Sequence, residues 1–238
     1  MTTTIPTTPI YPSTKPVGRP RSAKPVAHPT AMKYAVEMIG TLFLVFTIGA
    51  AVRSGNPLAP LAIGAILMAM VYAGGHVSGA HYNPAVTLAV LVRRRIEIRE
   101  AVGYWISQCI GGLLGSAVVC AVAPTQTSPM NLSGHAIVAA FVAELLVTFA
   151  LCYVVLNVAT SKDHPDNSFY GLAIGFTVAA GAVAVGGISG GAFNPAVAVA
   201  GVAMGMFSGS MIWMFVAAQA IAAVAAGLAF RAVNPTDK

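Results

Sequence analysis

One short phrase stands twice in the sequence and constrains the fold more than any other feature. Ser78–Val86 and Ser189–Val197 both begin with Ser-Gly and both end with Asn-Pro-Ala-Val. The two asparagines, Asn83 and Asn194, lie 111 residues apart, which is close to half of the 238-residue chain. Asn is a preferred N-cap and Pro fits the first helical position, so each copy predicts the start of a helix. The chain therefore holds two matched helix starts, each with the positive end of a helix dipole.

Composition places these helix starts in a membrane. Hydrophobic residues make up 57% of the chain and charged residues only 8%, whereas about a quarter of an ordinary soluble domain is charged. Hydropathy predicts six membrane-spanning helices, at about residues 33–53, 58–76, 100–122, 136–158, 169–187 and 209–231.

Two apolar pieces that begin at the repeated asparagines are too short to cross a bilayer. They cover residues 83–92 and 194–207. Because unpaired backbone is not tolerated in lipid, each must enter the membrane as a short helix buried among the others. The Asn side-chain oxygen caps this helix, which leaves the amide NH₂ free to donate to a solute.

Polar residues also recur in matching spans of the two halves. The matched pairs are Glu37 and Glu144, Thr41 and Thr148, and Gln108 and Gln219. We expect the two glutamates to accept hydrogen bonds from the re-entrant loops, with the two glutamines as further support. Three spans and one re-entrant piece per half invert the second copy relative to the first. The predicted fold class is an all-α membrane protein with six transmembrane helices and two re-entrant half-helices in an inverted repeat.

The membrane part is flanked by two tails. The predicted organisation is a Pro/Thr-rich basic tail over 1–32, a channel domain over 33–231 with halves at about 33–122 and 136–231, and a short tail over 232–238. A segment with the composition of the first tail cannot bury enough apolar surface to fold, so we expect disorder there.

Basic residues lie almost entirely on one predicted side of the membrane, Arg53 being the exception. The positive-inside rule then predicts that both termini are cytoplasmic and that the chain is a multi-pass protein of a plasma or inner membrane. The net charge of +6 belongs to the tail and short loops, so nucleic acid is not an expected partner.

These residues resemble the aquaporin, or major intrinsic protein, channel family. The resemblance covers about residues 33–231, and its carriers are the Glu/Thr pairs, Gln108 and the two long motifs that hold Asn83, Pro84, Ala85 and Asn194, Pro195, Ala196. It implies a pore through each subunit, a homotetramer in the lipid bilayer, and passive passage of water or small neutral solutes without a cofactor.

One position departs from the family pattern. The resemblance places an Arg directly after the second Asn-Pro-Ala, at the narrowest point of the pore, but this chain has Val197. The other three filter positions are carried over by distance from the motifs as Ile63, Ala182 and Gly191. Stripping a hydroxyl of water without a new partner costs about 2–7 kcal/mol. We therefore expect a wide, apolar filter that passes water and solutes such as glycerol, urea, ammonia or a metalloid hydroxide.

Two other function classes stay open at this point. A secondary transporter also uses inverted repeats and broken helices, with Glu37 and Glu144 as the candidate coupling groups. A non-conducting structural membrane protein would keep the fold alone. The sequence has no nucleophile–base pair, metal-ligand cluster or phosphate-binding loop, so we do not expect an enzyme, a metal or a cofactor.

Overall fold

Eight α-helices form the described part of the chain in the computed structural model, which describes residues 28–123 and 128–237. They are α1 (Thr30–Arg53), α2 (Ala59–Ser78), α3 (Pro84–Val92), α4 (Ile98–Val122), α5 (His135–Thr160), α6 (Tyr170–Ser189), α7 (Pro195–Ala203) and α8 (Ile212–Val233). A 3-10 turn, Gly209–Met211, leads into α8. Six helices are long and apolar enough to cross a membrane, and each overlaps one predicted span. The predicted fold class is thereby confirmed.

The predicted disordered tail lies almost wholly outside the described residues. Its last part is helical, since α1 begins at Thr30 rather than at residue 33. At the other end of the chain, α8 runs to Val233 and so extends into the segment predicted as the second tail.

The two halves meet where α2 crosses α6. Gly64 on α2 and Gly175 on α6 face each other, and a Cβ atom added to either would collide with the backbone oxygen of the other. Small residues at such crossings let helix backbones approach closely in a membrane. Because Gly64 and Gly175 are also 111 residues apart, equivalent points of the two halves are in contact here.

The half-helices α3 and α7 end on opposite faces of the molecule. On one face, Arg93 after α3 donates to the carbonyl of Thr160 at the end of α5, at 2.8 Å. On the other face, Arg53 at the end of α1 donates to the carbonyl of Met204, directly after α7. We call the first of these the basic face, because it also carries Lys33, Arg94, Arg95, Arg99, Lys162 and Arg231.

The second half-helix is shorter than predicted. The apolar piece 194–207 gives a helix that ends at Ala203. Gly205 has a φ of +77°, and its N–H donates to the Val202 carbonyl while Met206 N–H donates to Gly201. This is a Schellman motif, in which a left-handed glycine ends the helix. Hydropathy missed the stop because the residues beyond it are also apolar.

Candidate functional site

The starts of α3 and α7 meet near the middle of the molecule. Asn83 caps α3, with its Oδ1 accepting from the Ala85 N–H at 2.8 Å. Asn194 caps α7 in the same way, with its Oδ1 accepting from the Ala196 N–H at 2.9 Å. Pro follows each asparagine as the first helical residue, where its missing N–H removes no hydrogen bond.

Each asparagine also binds the opposite half. Asn83 Nδ2 donates to the carbonyl of Phe193 at 2.9 Å, and Asn194 Nδ2 donates to the carbonyl of Tyr82 at 2.8 Å. The expectation that both amide groups are wholly free is therefore wrong, because one proton of each is used between the halves. The second proton of each amide stays available to a solute oxygen.

A buried carboxylate holds the first re-entrant loop. Glu37 is fully buried on α1. Its Oε1 accepts from Ser78 Oγ at 2.7 Å and from the His81 N–H at 2.9 Å. Its Oε2 accepts from the Tyr82 N–H at 2.7 Å and from Gln108 Nε2 at 2.9 Å. Four donors thus converge on one side chain, and both of its oxygens are used twice.

The second loop repeats this arrangement around Glu144, which is also fully buried. Its Oε1 accepts from Ser189 Oγ at 2.7 Å and from the Ala192 N–H at 3.0 Å. Its Oε2 accepts from the Phe193 N–H and from Gln219 Nε2, both at 2.8 Å. The four residues predicted as loop support, Glu37, Glu144, Gln108 and Gln219, thus form two matched clusters.

A cavity beside the two asparagines, which we call the lumen, shares lining residues with a vestibule on each face. The space open to the centres of water-sized molecules in its central part is about 30 Å³. Val155 and His81 also line the vestibule on the basic face, whereas Ile48, Ile63 and Gly191 also line a vestibule on the opposite face. The aliphatic side chains that line the centre are Leu44, Ile48, Ile63, Leu67, Val86, Leu151, Val155, Ile174, Val178 and Val197.

The four predicted filter positions lie on this path. Ile63, Gly191 and Val197 line the central lumen, and Ala182 joins Ile63 and Gly191 in the vestibule on the face opposite the basic one. Val197 is only 2% exposed, so its side chain is packed and does not fill the vestibule. Four small or aliphatic residues therefore stand at the passage between vestibule and lumen.

Among residues 28–123 and 128–237, no Lys, Arg, Asp or Glu lines the central lumen or the vestibule on the face opposite the basic one. Arg53 is the basic residue nearest in sequence to the filter position Ile63. Its guanidinium, however, donates to the Met204 carbonyl and, at 3.5 Å, to the Val119 carbonyl. It thus holds the end of α7 and does not stand in for the Arg that Val197 replaces.

Sequence reasoning missed several supporting groups. Ser78 and Ser189 bind the two glutamates, and their equal place in both copies of the phrase was a usable signal. Thr87 accepts from Gln108 Nε2 at 3.0 Å. Trp105 Nε1 donates to the Pro84 carbonyl at 3.1 Å. Neither of these two contacts has an obvious sequence signal, because each joins different helices.

Comparison with known proteins agrees with this geometry. The family model described as "Major intrinsic protein" matches residues 26–230. The chain is 36% identical over 218 residues to "Glycerol uptake facilitator protein-like 6" of Lactiplantibacillus plantarum, covering 86% of this chain and 99% of the relative. It is 34% identical over 227 residues to "Aquaporin NIP1-1" of Zea mays, covering 91% and 80%.

A solved structure shares the fold. The X-ray structure of the aquaglyceroporin from Plasmodium falciparum superposes with a TM-score of 0.73 at 19% identity, covering 87% of this chain and 98% of that one. The fold, the match over most of the chain and the relatives above one-third identity lead to one conclusion. The chain belongs to the major intrinsic protein family of membrane channels.

Proposed function

We propose that this chain is a passive channel for water and small uncharged solutes, with a filter that admits solutes larger than water. The observation that carries the proposal is the lumen beside the paired amides of Asn83 and Asn194, which shares lining residues with a vestibule on each face. The relatives named as a glycerol uptake facilitator and as aquaporins support the same class of solute.

The filter sets which solutes pass. Ile63, Ala182, Gly191 and Val197 offer no charged group and little bulk. A solute at this point keeps part of its hydration or uses backbone carbonyls, because unpaired hydroxyls in an apolar passage are costly. Glycerol, urea, ammonia and metalloid hydroxides are therefore the solutes to examine beside water.

The decisive measurement is stopped-flow light scattering of proteoliposomes with water, glycerol and urea. Wild type should pass all three, and Val197→Arg should lower glycerol and urea permeability far more than water permeability. Val197→Met is the matched control, since it adds length without charge. Wild-type vesicles that pass water alone would exclude the wide filter, and vesicles with no added permeability would favour a non-conducting structural protein.

The hydrogen bonds of the glutamates favour a channel over a secondary transporter. An ion-coupled transporter needs an intramembrane group that binds the coupling ion. Each oxygen of Glu37 and Glu144 already accepts two hydrogen bonds from the loops and glutamines. Solute flux should therefore be unchanged by an imposed proton or sodium gradient, and a gradient-dependent flux would favour the transporter.

Cation exclusion follows from the two helix starts. The positive ends of α3 and α7 both point to the middle of the lumen, and selectivity in pores depends on such electrostatic barriers. Without the filter Arg the barrier is lower but still present. Planar-bilayer recordings should show no substantial monovalent cation current.

The assembly and orientation complete the proposal. Family resemblance supports a homotetramer with one pore per subunit. The basic face is the cytoplasmic one by the positive-inside rule, so both termini lie on the cytoplasmic side of a plasma or inner membrane. Mass measurement of the detergent-solubilised protein and protease accessibility in oriented vesicles test these two statements.

A further inference from the structure

A groove on the basic face lies outside the conducting path. It runs between the end of α3 and the end of α8 and has about 600 Å³ of space open to the centres of water-sized molecules. Its main lining residues are Arg93, Arg94, Leu228, Arg231, Asn234 and Asp237. We call it the Arg94–Arg231 groove.

Two of the nearby arginines share one carboxylate. Asp237 Oδ1 lies 3.0 Å from Arg93 Nη2 and 3.3 Å from Arg95 Nη2. Arg93 also packs on Phe230, with its Cζ 4.2 Å from the ring centroid. The Asp237 carboxylate at the rim of the groove is therefore occupied and does not repel an anion as a free charge would.

The other two arginines carry uncompensated charge. Arg94 and Arg231 are both exposed, and neither has a carboxylate within salt-bridge distance among the described residues. Arg231 makes one long hydrogen bond, from Nη1 to the Val92 carbonyl at 3.4 Å. Its other guanidinium N–H groups remain available to a ligand.

The backbone at Arg94 shows that this side chain occupies an unfavourable position. Arg94 has a φ of +68° and takes the left-handed place in a Schellman motif. The Arg94 N–H donates to the Leu91 carbonyl, and the Arg95 N–H donates to the Val90 carbonyl. The same place in the second half is filled by Gly205. A left-handed backbone is sterically unfavourable for a residue that has a Cβ atom. The first half thus holds a long cation where glycine would be less strained.

The groove has positive charge at the end of α8 and exposed apolar surface one turn before it. Leu228 precedes Arg231 by three residues, which puts both on one side of α8. Leu228 is 54% exposed, and Ile221, two turns deeper, is 52% exposed. A ligand that fits must present an anion at the membrane boundary and a hydrocarbon chain below it. A soluble phosphate would use only the upper part.

We propose that the Arg94–Arg231 groove binds the phosphate headgroup of an anionic phospholipid, with an acyl chain against Leu228. Arg is suited to phosphate because its guanidinium donates two parallel charge-assisted hydrogen bonds. Basic pockets between transmembrane helices at a membrane surface are a recognised setting for such headgroups.

The test counts bound lipid on the purified full chain by native mass spectrometry in a neutral detergent. The probes are phosphatidylglycerol, phosphatidylcholine and inorganic phosphate. The variants are Arg94→Gly, Arg231→Gln and the two combined, with Arg99→Gln as control because Arg99 is exposed on the same face but outside the groove. Arg94→Gly removes the charge while relieving the backbone, so a loss of binding there does not reflect misfolding.

Phosphatidylglycerol should bind wild type about ten-fold more tightly than phosphatidylcholine. Each single variant should weaken it about five-fold and the double variant about 25-fold, with Arg99→Gln unchanged. The proposal would be overturned if the double variant bound phosphatidylglycerol as tightly as wild type does, or if Arg99→Gln weakened binding as much as the groove variants do. Inorganic phosphate that binds as tightly as the lipid would indicate a free-anion site. Loss of oligomer mass in the double variant with lipid binding intact would indicate a subunit contact.

Discussion

The two halves of the molecule hold their re-entrant loops with the same hydrogen bonds but differ in the side chains around those loops. Both bury one glutamate that receives a serine hydroxyl, two loop N–H groups and a glutamine amide. Around the first loop, however, stand His81, Tyr82 and Thr87, whereas the second loop has apolar residues at the same places: Ala192, Phe193 and Ala198.

The glutamate clusters, which both halves share, hold the loops in place. The side chains that differ between the halves alter the surroundings of the lumen. The backbone N–H groups of both loops require a hydrogen-bond acceptor, because a re-entrant loop offers them no carbonyl within a helix. The extra polar side chains of the first half make contacts that the second half does without. Thr87 Oγ1, for example, lies 3.0 Å from His81 Nδ1 and 3.0 Å from Gln108 Nε2. Substitutions that remove matched groups should therefore have unequal effects in the two halves.

The largest effect is expected from removing the buried glutamates. Glu37→Ala leaves three donors without an acceptor and Glu144→Ala leaves four, and each unsatisfied buried group costs about 1–3 kcal/mol. The loss should be greater in Glu144→Ala by about 1 kcal/mol, because the Nε2 of Gln108 keeps Thr87 as an acceptor, whereas the Nε2 of Gln219 has Glu144 as its one acceptor among the described residues. Thermal unfolding in detergent, followed by circular dichroism, measures both.

Two controls accompany this pair. Glu97→Ala removes an exposed glutamate and should leave stability nearly unchanged. Glu37→Gln and Glu144→Gln keep one acceptor oxygen and should lose less than the alanine variants. Equal losses in Glu37→Ala and Glu144→Ala would show that Thr87 does not support Gln108.

A smaller effect is expected where the two half-helices end. The end of α3 is held by Arg93, which binds Asp237 and Thr160, while the end of α7 receives a hydrogen bond from Arg53 and no ion pair among the described residues. Burial acts to raise the pKa of Asp237, but hydrogen bonds from the Lys162 N–H and Arg93 outweigh it and lower the pKa to about 2. Asp237→Asn should lower the free energy of unfolding by about 1.5–3 kcal/mol, as for a charged hydrogen bond.

The sign of the pH dependence follows from the lowered pKa. A carboxylate with a lowered folded-state pKa stabilises the protein above its unfolded pKa, near 4, and this stabilisation is lost as the pH falls toward 2. The difference between wild type and Asp237→Asn should thus be constant from pH 8 to pH 5 and shrink below pH 4. Melting curves across this range provide the check, and a difference that vanishes by pH 6 would be incompatible with the pairing.

The contacts at Asp237 also show where sequence reasoning stops. The matched phrases, the glutamates and the two helix starts were predictable because each is a local signal that occurs twice. Asp237 lies 144 residues from Arg93, and nothing in the local sequence shows that a tail residue returns to the end of α3. Pairings of this kind depend on how helices are arranged, which hydropathy does not give.

At the filter, too, some features were predictable from local sequence and others depended on the three-dimensional arrangement. Val197 was identifiable because it follows a motif, and its absence of charge is plain from the sequence. That Arg53 binds Met204 and leaves the lumen without a substitute cation is a matter of side-chain direction. Gly205, in contrast, was a readable helix stop that hydropathy alone overlooked.

The smallest effect is expected from the hydroxyl that only the first half has. Thr87 Oγ1 donates to the Asn83 carbonyl at 3.1 Å and accepts from Gln108. Thr87→Val keeps the shape of the side chain but removes both bonds and the contact with His81 Nδ1, so the free energy of unfolding should fall by about 1–2 kcal/mol. Thr148→Val is the matched control, because the Thr148 hydroxyl is buried without a hydrogen-bond partner in the described residues, and its loss should leave stability unchanged or higher. A larger loss in Thr148→Val than in Thr87→Val would mean that the polar contacts around the first loop do not distinguish the two halves.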